Sequence, residues 1–442
     1  MPPRRSARVA AAAELRTSAL SPLPLALAQR IFLLLPVDAR ARAACVCRGW
    51  RAVLADPALW TRLDLSCESG VNWRLDTQDA LLQGAAGRAH GQLAQLYGPH
   101  NLSAALQAVV AANAGSLREL HVHYVKANPT LQTLLDAAPQ LQHLHTEYIS
   151  CTWEDAPRLV RAEAPFALLR FRKLSVDFGD DDVAGGVQRI SPFAAALAVA
   201  ASQPELSNVC IRGADTQRPE VMNALVDAAL ARRLRSLEFC SCTPPAAAPM
   251  TRLLAGESLT ELKFGFRRGI TPLFDAAGAA LVAAALRANT SLTQPQFDAS
   301  RVCANMQAMT TLSAALVGHP TLRALMLIDE WTPMPAELGA ALATLVDANA
   351  PALQRMGISG SALGDDGMTP LMDALPRNNH LRELDFIGSN AMTEGFANEQ
   401  LLPAVRANTL LRMFICREDH GDVLCAAVAE AEELVRRRPP LS

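Results

Sequence analysis

The chain has few aromatic residues, little net charge and no long apolar run. Only 5% of its 442 residues are Phe, Trp or Tyr, although 50% are hydrophobic. Ala and Leu carry that apolar fraction, which suits many thin helices packed side by side in several cores or one long stack. The net charge is −2 and the pI is near 6.5. Nucleic-acid and anionic-membrane partners call for a basic excess, so neither is expected. The longest apolar stretches, such as 193–201, run to nine residues, against roughly 20 needed to cross a bilayer. Ten cysteines are scattered without the dense spacing of a disulfide framework. A reducing compartment, cytoplasmic or nuclear, is therefore expected. The motifs G-x-x-x-x-G-K-[ST], G-x-S-x-G and H-E-x-x-H are missing. No catalytic residue, cofactor or metal is assigned, and the expectation is a binding protein rather than an enzyme.

What is present divides the chain into four parts. Residues 1–19 carry Arg4, Arg5, Arg8 and Arg16 among Ala and Ser, with Glu14 as the one acid. They read as a disordered lead, with an organellar transit segment as the lesser alternative. Residues 20–62 read as three short helices. Pro24 suits the first turn of one. Leu27, Ile31, Leu34 and Leu35 follow at helical spacing as a single apolar stripe. Pro36 ends that helix, Asp38 is expected to cap a second through Ala44, and a third carries Trp50, Val53 and Leu54 before Asp56-Pro57 stops it. Residues 63–422 read as repeats, and 423–442 as a capping helix and tail.

The order Leu23-Pro24, Ile31-Phe32, Leu35-Pro36, Val46-Cys47, Trp50 and Leu59-Trp60 resembles an F-box along its length. The resemblance implies a surface that docks a Skp-type adaptor, which in turn holds a cullin. Leu23, Pro24, Ile31, Phe32, Leu35, Pro36, Val46, Cys47 and Trp50 occupy motif positions, some as core and some as interface. The chain departs from the family at Leu25 and Ala26, where acidic residues are common. That loses about 0.3–1 kcal/mol of favourable charge at a helix N-terminus and leaves this end apolar.

After residue 62, an apolar helix followed by L-x-x-L-x-L recurs. Starts fall at Leu117, Leu141, Phe171, Leu206, Leu234, Leu259, Leu292, Leu322, Leu353, Leu381 and Leu411, a mean period of about 29. Of the 33 template positions, only Thr146 and Pro295 are not apolar. Earlier units are expected at Leu93-Ala94-Gln95-Leu96 and Leu63-Asp64-Leu65. Asn113, Asn289, Asn349, Asn378 and Asn408 stand three or four residues before their anchors, with Gly318 in the same role. Both residue types tolerate the left-handed conformation that ends a helix. The pattern resembles leucine-rich repeats of the ribonuclease-inhibitor type. It implies an α/β fold: a three-helix F-box followed by a right-handed leucine-rich-repeat solenoid, with parallel strands inside and helices outside. Three further features are expected: a strand short or broken at Pro295, a solvated acidic loop over 177–191, and a terminal helix with Leu424, Val428 and Leu434 on one side.

Side chains between the strand leucines point onto the concave sheet. His121, His123, His143 and His145 should share one patch there. The plain reading is four exposed imidazoles, with partner contact or a metal as alternatives. Arg118, Arg172, Arg235, Arg323, Arg382 and Arg412 each follow an anchor and should align along one edge, either as a solvated ladder or as a grip for an acidic peptide. The two resemblances together imply the target-binding subunit of a Skp–cullin–F-box ubiquitin ligase. The alternatives are a scaffold whose F-box recruits no cullin, or a host-targeted bacterial effector.

Overall fold

The computed structural model describes residues 24–65, 75–98, 103–164, 166–179, 186–199, 202–265, 271–350, 352–387, 392–417 and 425–439. The lead over 1–19, Leu23 and Leu424 lie outside the described residues. The chain falls into two compact units, residues 1–174 with 202–205, and residues 175–201 with 206–442.

The first unit opens with α1 (Leu25–Leu33), α2 (Val37–Ala43) and α3 (Arg48–Val53), followed by a 3-10 turn at Pro57–Trp60. Proline starts two of these helices, because Pro24 and Pro36 are the N-caps of α1 and α2 and neither provides a side-chain cap. Asp38 is not a cap. It sits inside the first turn of α2 and pairs with Arg42 at 2.7 Å. Cys47 caps α3, its Sγ accepting the Trp50 N–H at 3.4 Å. The centre of this module is Trp60, fully buried, whose indole N–H donates to the Leu54 carbonyl at 2.7 Å. Buried Arg40 lies over the Trp60 ring, 5.4 Å from its centroid, and donates to the Leu59 carbonyl. Phe32 packs edge-on against Trp50, with ring centroids 5.5 Å apart.

Strands β1 (Arg62–Asp64), β2 (Gln95–Tyr97), β3 (Glu119–Lys126) and β4 (His143–Thr152) follow, each paired in parallel with the next. The early units at Leu63 and Leu96 are therefore genuine members of the sheet. β5 (Leu169–Asp177) spans the division between the units. In the second unit, β6 (Asn208–Arg212), β7 (Ser236–Cys240), β8 (Glu261–Phe264) and β9 (Gln294–Asp298) pair in parallel in sequence order. β10 (Ala324–Pro333), β11 (Arg355–Ala362), β12 (Glu383–Ile387) and β13 (Met413–Arg417) continue the same pattern. A helix lies between most successive strands, so the repeat-type parallel sheet expected from the 29-residue period is present. No described helix is long and apolar enough to cross a membrane.

Pro295 does not break its strand. β9 is five residues long, as β6 and β7 are, and only its pairing with β10 is curtailed, beginning two residues into the strand at Gln296. Leu262 and Pro295 lie in register, and Pro295 stays buried on the core side. The stretch 177–191 is also not a continuous loop, because a helix runs over Gly186–Val199. The terminal helix spans Ala426–Arg436 and buries Ala427, Val428, Ala431 and Val435. Leu434 is only half-buried. Its neighbour Glu432 is buried and accepts the Cys416 N–H of β13 at 3.1 Å.

The asparagines do something other than turn the chain left-handed. Only Asn349 has a positive φ, +51°, as does Gly318 at +69°. Asn289, Asn378 and Asn408 are extended, with φ near −75°, and their side chains are buried. Each amide NH2 donates backward into the preceding repeat: Asn289 to Leu254 O at 2.5 Å, Asn378 to Val346 O at 2.7 Å, and Asn408 to Leu375 O at 2.8 Å. Each amide oxygen accepts backbone N–H groups two and three residues ahead. A buried side chain thus satisfies a carbonyl at the helix end of one repeat and the entry to the next strand, groups that would otherwise be orphaned.

Candidate functional site

The nine motif residues of the N-terminal module divide by burial. Phe32 is 2% exposed and belongs to the core. Leu35, Cys47 and Trp50 are half-buried, whereas Pro24, Ile31, Pro36 and Val46 face solvent. Leu23 cannot be placed on either side.

The apolar stripe of α1 faces outward. The helix buries Ala28 and Phe32, not Leu27, Ile31 and Leu34. Leu34 is 84% exposed, Leu25 60% and Leu33 53%, with Leu27, Ile31 and Val46 also open to solvent. Helical spacing places Leu27, Ile31 and Leu34 on one face. No acid stands in the first turn of α1, so this end presents hydrocarbon rather than charge. Isolated exposed leucines need no explanation, but a contiguous set on one short helix marks an interaction surface.

The open face of the first unit carries a second cluster. Register places Asp64, Tyr97, His121 and His145 side by side on β1–β4. The rings of Tyr97 and His121 stack at 4.2 Å, and those of His121 and His145 at 4.4 Å and 9°. The Arg62 guanidinium lies over Tyr97 at 5.1 Å. Glu119 ties the column together. Its carboxylate meets His121 Nε2 at 2.6 Å, accepts from Gln95 Nε2 at 2.7 Å and from the Tyr97 hydroxyl at 3.3 Å. These bonds, led by that from His121, hold the Glu119 carboxyl below the usual range. Burial, aided by the neighbouring His121, holds the His145 imidazole below its ordinary value.

Of the four predicted histidines, His121, His143 and His145 come together, with His143 and His145 centroids 6.2 Å apart. His123 is exposed two residues further along β3. The donor atoms of Glu119, His121 and His145 lie within 4.8 Å of one another. The two rings are nearly parallel, however, and a metal must lie in the plane of each imidazole it binds. The stack is built for aromatic and polar contact rather than for chelation. Tyr97 and Glu119 were not singled out from sequence, although Tyr97 follows Leu96 as His121 follows Leu120, which was the available signal.

The arginine row is present in the backbone but discontinuous in side chains. Arg235, Arg323, Arg382 and Arg412 occupy one edge ladder, in which Arg412 N donates to Arg382 O at 2.7 Å. Thr260, Thr293 and Gln354 fill the intervening rungs. Arg235, Arg323 and Arg382 are exposed, and so is Arg172 in β5. Arg118 is half-buried and donates to Gln140 O at 3.2 Å. Three uncharged rungs therefore interrupt the row.

Compared with known families, residues 20–66 match the F-box-like family model. The helical module and the first strand together thus form an F-box-like domain, followed by a repeat-type parallel sheet. No curated protein matches the chain.

Proposed function

We propose that this chain is the target-recognition subunit of a Skp–cullin–F-box ubiquitin ligase. The carrying observation is that the F-box-like domain turns the apolar face of α1 outward. F-box domains generally bind Skp-type adaptors, and a hydrocarbon surface is what such docking buries. Leu25, Leu27, Ile31, Leu34 and Val46 are the contact residues on this reading, while Phe32, Trp60 and Arg40 hold the module in shape. Through the adaptor the chain joins a cullin. The repeats, read as leucine-rich repeats of the ribonuclease-inhibitor type, present a target protein on their open face, in the cytoplasm or nucleus. The chain carries out no transfer chemistry itself. It raises the effective concentration of target lysines near the conjugating enzyme. The Tyr97–His121–His145 column with Glu119 is the first place to look for target contact, because aromatic side chains are favoured at the centres of interfaces.

Co-purification tests this reading. The full chain should bring down a Skp-type adaptor and, with it, a cullin. Leu34→Asp should release both without loss of helical circular dichroism. An adaptor-free eluate from folded wild-type protein would sink the proposal.

A further inference from the structure

The second unit holds a cluster that the F-box reading does not use. β6 and β7 run in register with Cys210 opposite Glu238 and Arg212 opposite Cys240. Val209, Ile211, Leu237 and Phe239 are buried on the helix side of the sheet. Alternation along the strands therefore places Cys210, Glu238 and Cys240 together on the opposite face. Cys210 Sγ lies 3.5 Å from Cys240 Sγ, and Cys240 Sγ lies 3.1 Å from Glu238 Oε1. All three donor atoms fall within 4.8 Å of one another. Cys210 is 1% exposed, while the other two are half-buried.

We propose that Cys210, Glu238 and Cys240 bind a thiophilic divalent cation, zinc in the first instance, on the open face of the β6–β7 pair. Zinc takes thiolate sulfur at about 2.3 Å and carboxylate oxygen at about 2.0–2.2 Å in tetrahedral array. That geometry separates two sulfurs by roughly 3.8 Å and a sulfur from an oxygen by roughly 3.6 Å. The two distances above are shorter than these by a few tenths of an ångström, so small side-chain rotations would open the donors to the required bite. A disulfide fits less well. The two cysteines are diagonal, one strand over and two residues along, which puts their Cα atoms roughly 8 Å apart in a regular sheet. Cysteines more than about 7 Å apart need backbone movement to be bridged.

Zinc takes cysteine as the thiolate, so a bound cation would replace the thiol protons. Binding should release protons and tighten as the pH rises. Three protein ligands leave a fourth position for water or for a donor from a bound partner.

Titration of the reduced full-length chain with Co2+, followed by competition with Zn2+, tests the site. One equivalent of Co2+ should give thiolate-to-cobalt charge-transfer absorption that Zn2+ abolishes. Cys240→Ser and Cys210→Ser should each lose the absorption, Glu238→Gln should weaken binding, and exposed Cys45→Ser should leave it unchanged. Should the buried Cys210 variant fail to fold, the half-exposed Cys240 carries the test, with circular dichroism as the fold control. No saturable uptake, absorption that persists in folded Cys240→Ser, or a Cys210–Cys240 disulfide in a chain whose reduced form takes up no metal would each overturn the proposal.

Discussion

His319 stands where the neighbouring repeats place asparagine, and it does the same task with an imidazole. Its Nε2 faces Leu286 O at 3.0 Å, and its Nδ1 accepts the Thr321 N–H at 3.4 Å. Those partners require the neutral ring, because a second proton on Nδ1 would meet a donor. Burial accordingly holds its pKa below the ordinary histidine value, against the opposing pull of Leu286 O. The sign follows from linkage. A folded pKa below the unfolded one means that the unfolded chain binds the proton better, so stability is intact above about pH 6.5 and falls as the pH drops below it. His319→Asn should therefore match wild type at pH 8 and lose less Tm between pH 7 and pH 5, as read by thermal scans. A variant as acid-sensitive as wild type would contradict this role. Asn378→Ala removes the bridge outright and strands Val346 O, His380 N and Leu381 N. Denaturant melts should show a loss of about 1–3 kcal/mol or more. The spacing of these residues was legible in the sequence, but their role was not. It depends on carbonyls about one repeat earlier, which a local reading of helix ends does not see.

At the scale of elements, the helices show how small residues set the spacing of repeats. A Cβ added at Gly339, in the helix Ala336–Asp347, would fall 1.7 Å from Gly367 O in the helix Gly364–Ala374. The two helices touch backbone to backbone there. Gly339→Ala should cost about 1–3 kcal/mol by forcing them apart. Gly87, in the helix Leu75–Ala89, has nothing within 4 Å of such a Cβ, so Gly87→Ala should instead gain up to about 1 kcal/mol from helix propensity. Equal effects on Tm from the two substitutions would refute this packing argument. Only the packing of neighbouring helices shows which glycine is in contact. The outward stripe of α1 teaches the same lesson. Periodicity at Leu27, Ile31 and Leu34 located the helix correctly, but it cannot say whether an apolar face turns toward the chain's own core or toward a partner.

At the scale of the molecule, a 29-residue period and the alternation of leucines were enough to anticipate thirteen parallel strands in sequence order. Each repeat states its own strand, helix and core positions, so the pattern is local and reiterated. The clusters on the open face were less visible, because they join residues one repeat apart. Cys240 stands two residues from Cys242 in the chain, whereas its structural neighbour is Cys210 on the adjacent strand. The histidines were found because they recur at one repeat offset, while Glu119 and Tyr97 became part of that column only when the strands were paired.

The central claim is that the outward apolar face of α1 docks a Skp-type adaptor. The most direct measurement is the dissociation constant of the full chain for that adaptor, for wild type and for Leu27→Asp/Ile31→Asp, with circular dichroism of each. The account predicts submicromolar binding by wild type. It also predicts weakening of about 30-fold or more in a folded variant, since two central apolar contacts contribute roughly 1–2 kcal/mol each. No binding by folded wild-type protein, or equal binding by the variant, would contradict it.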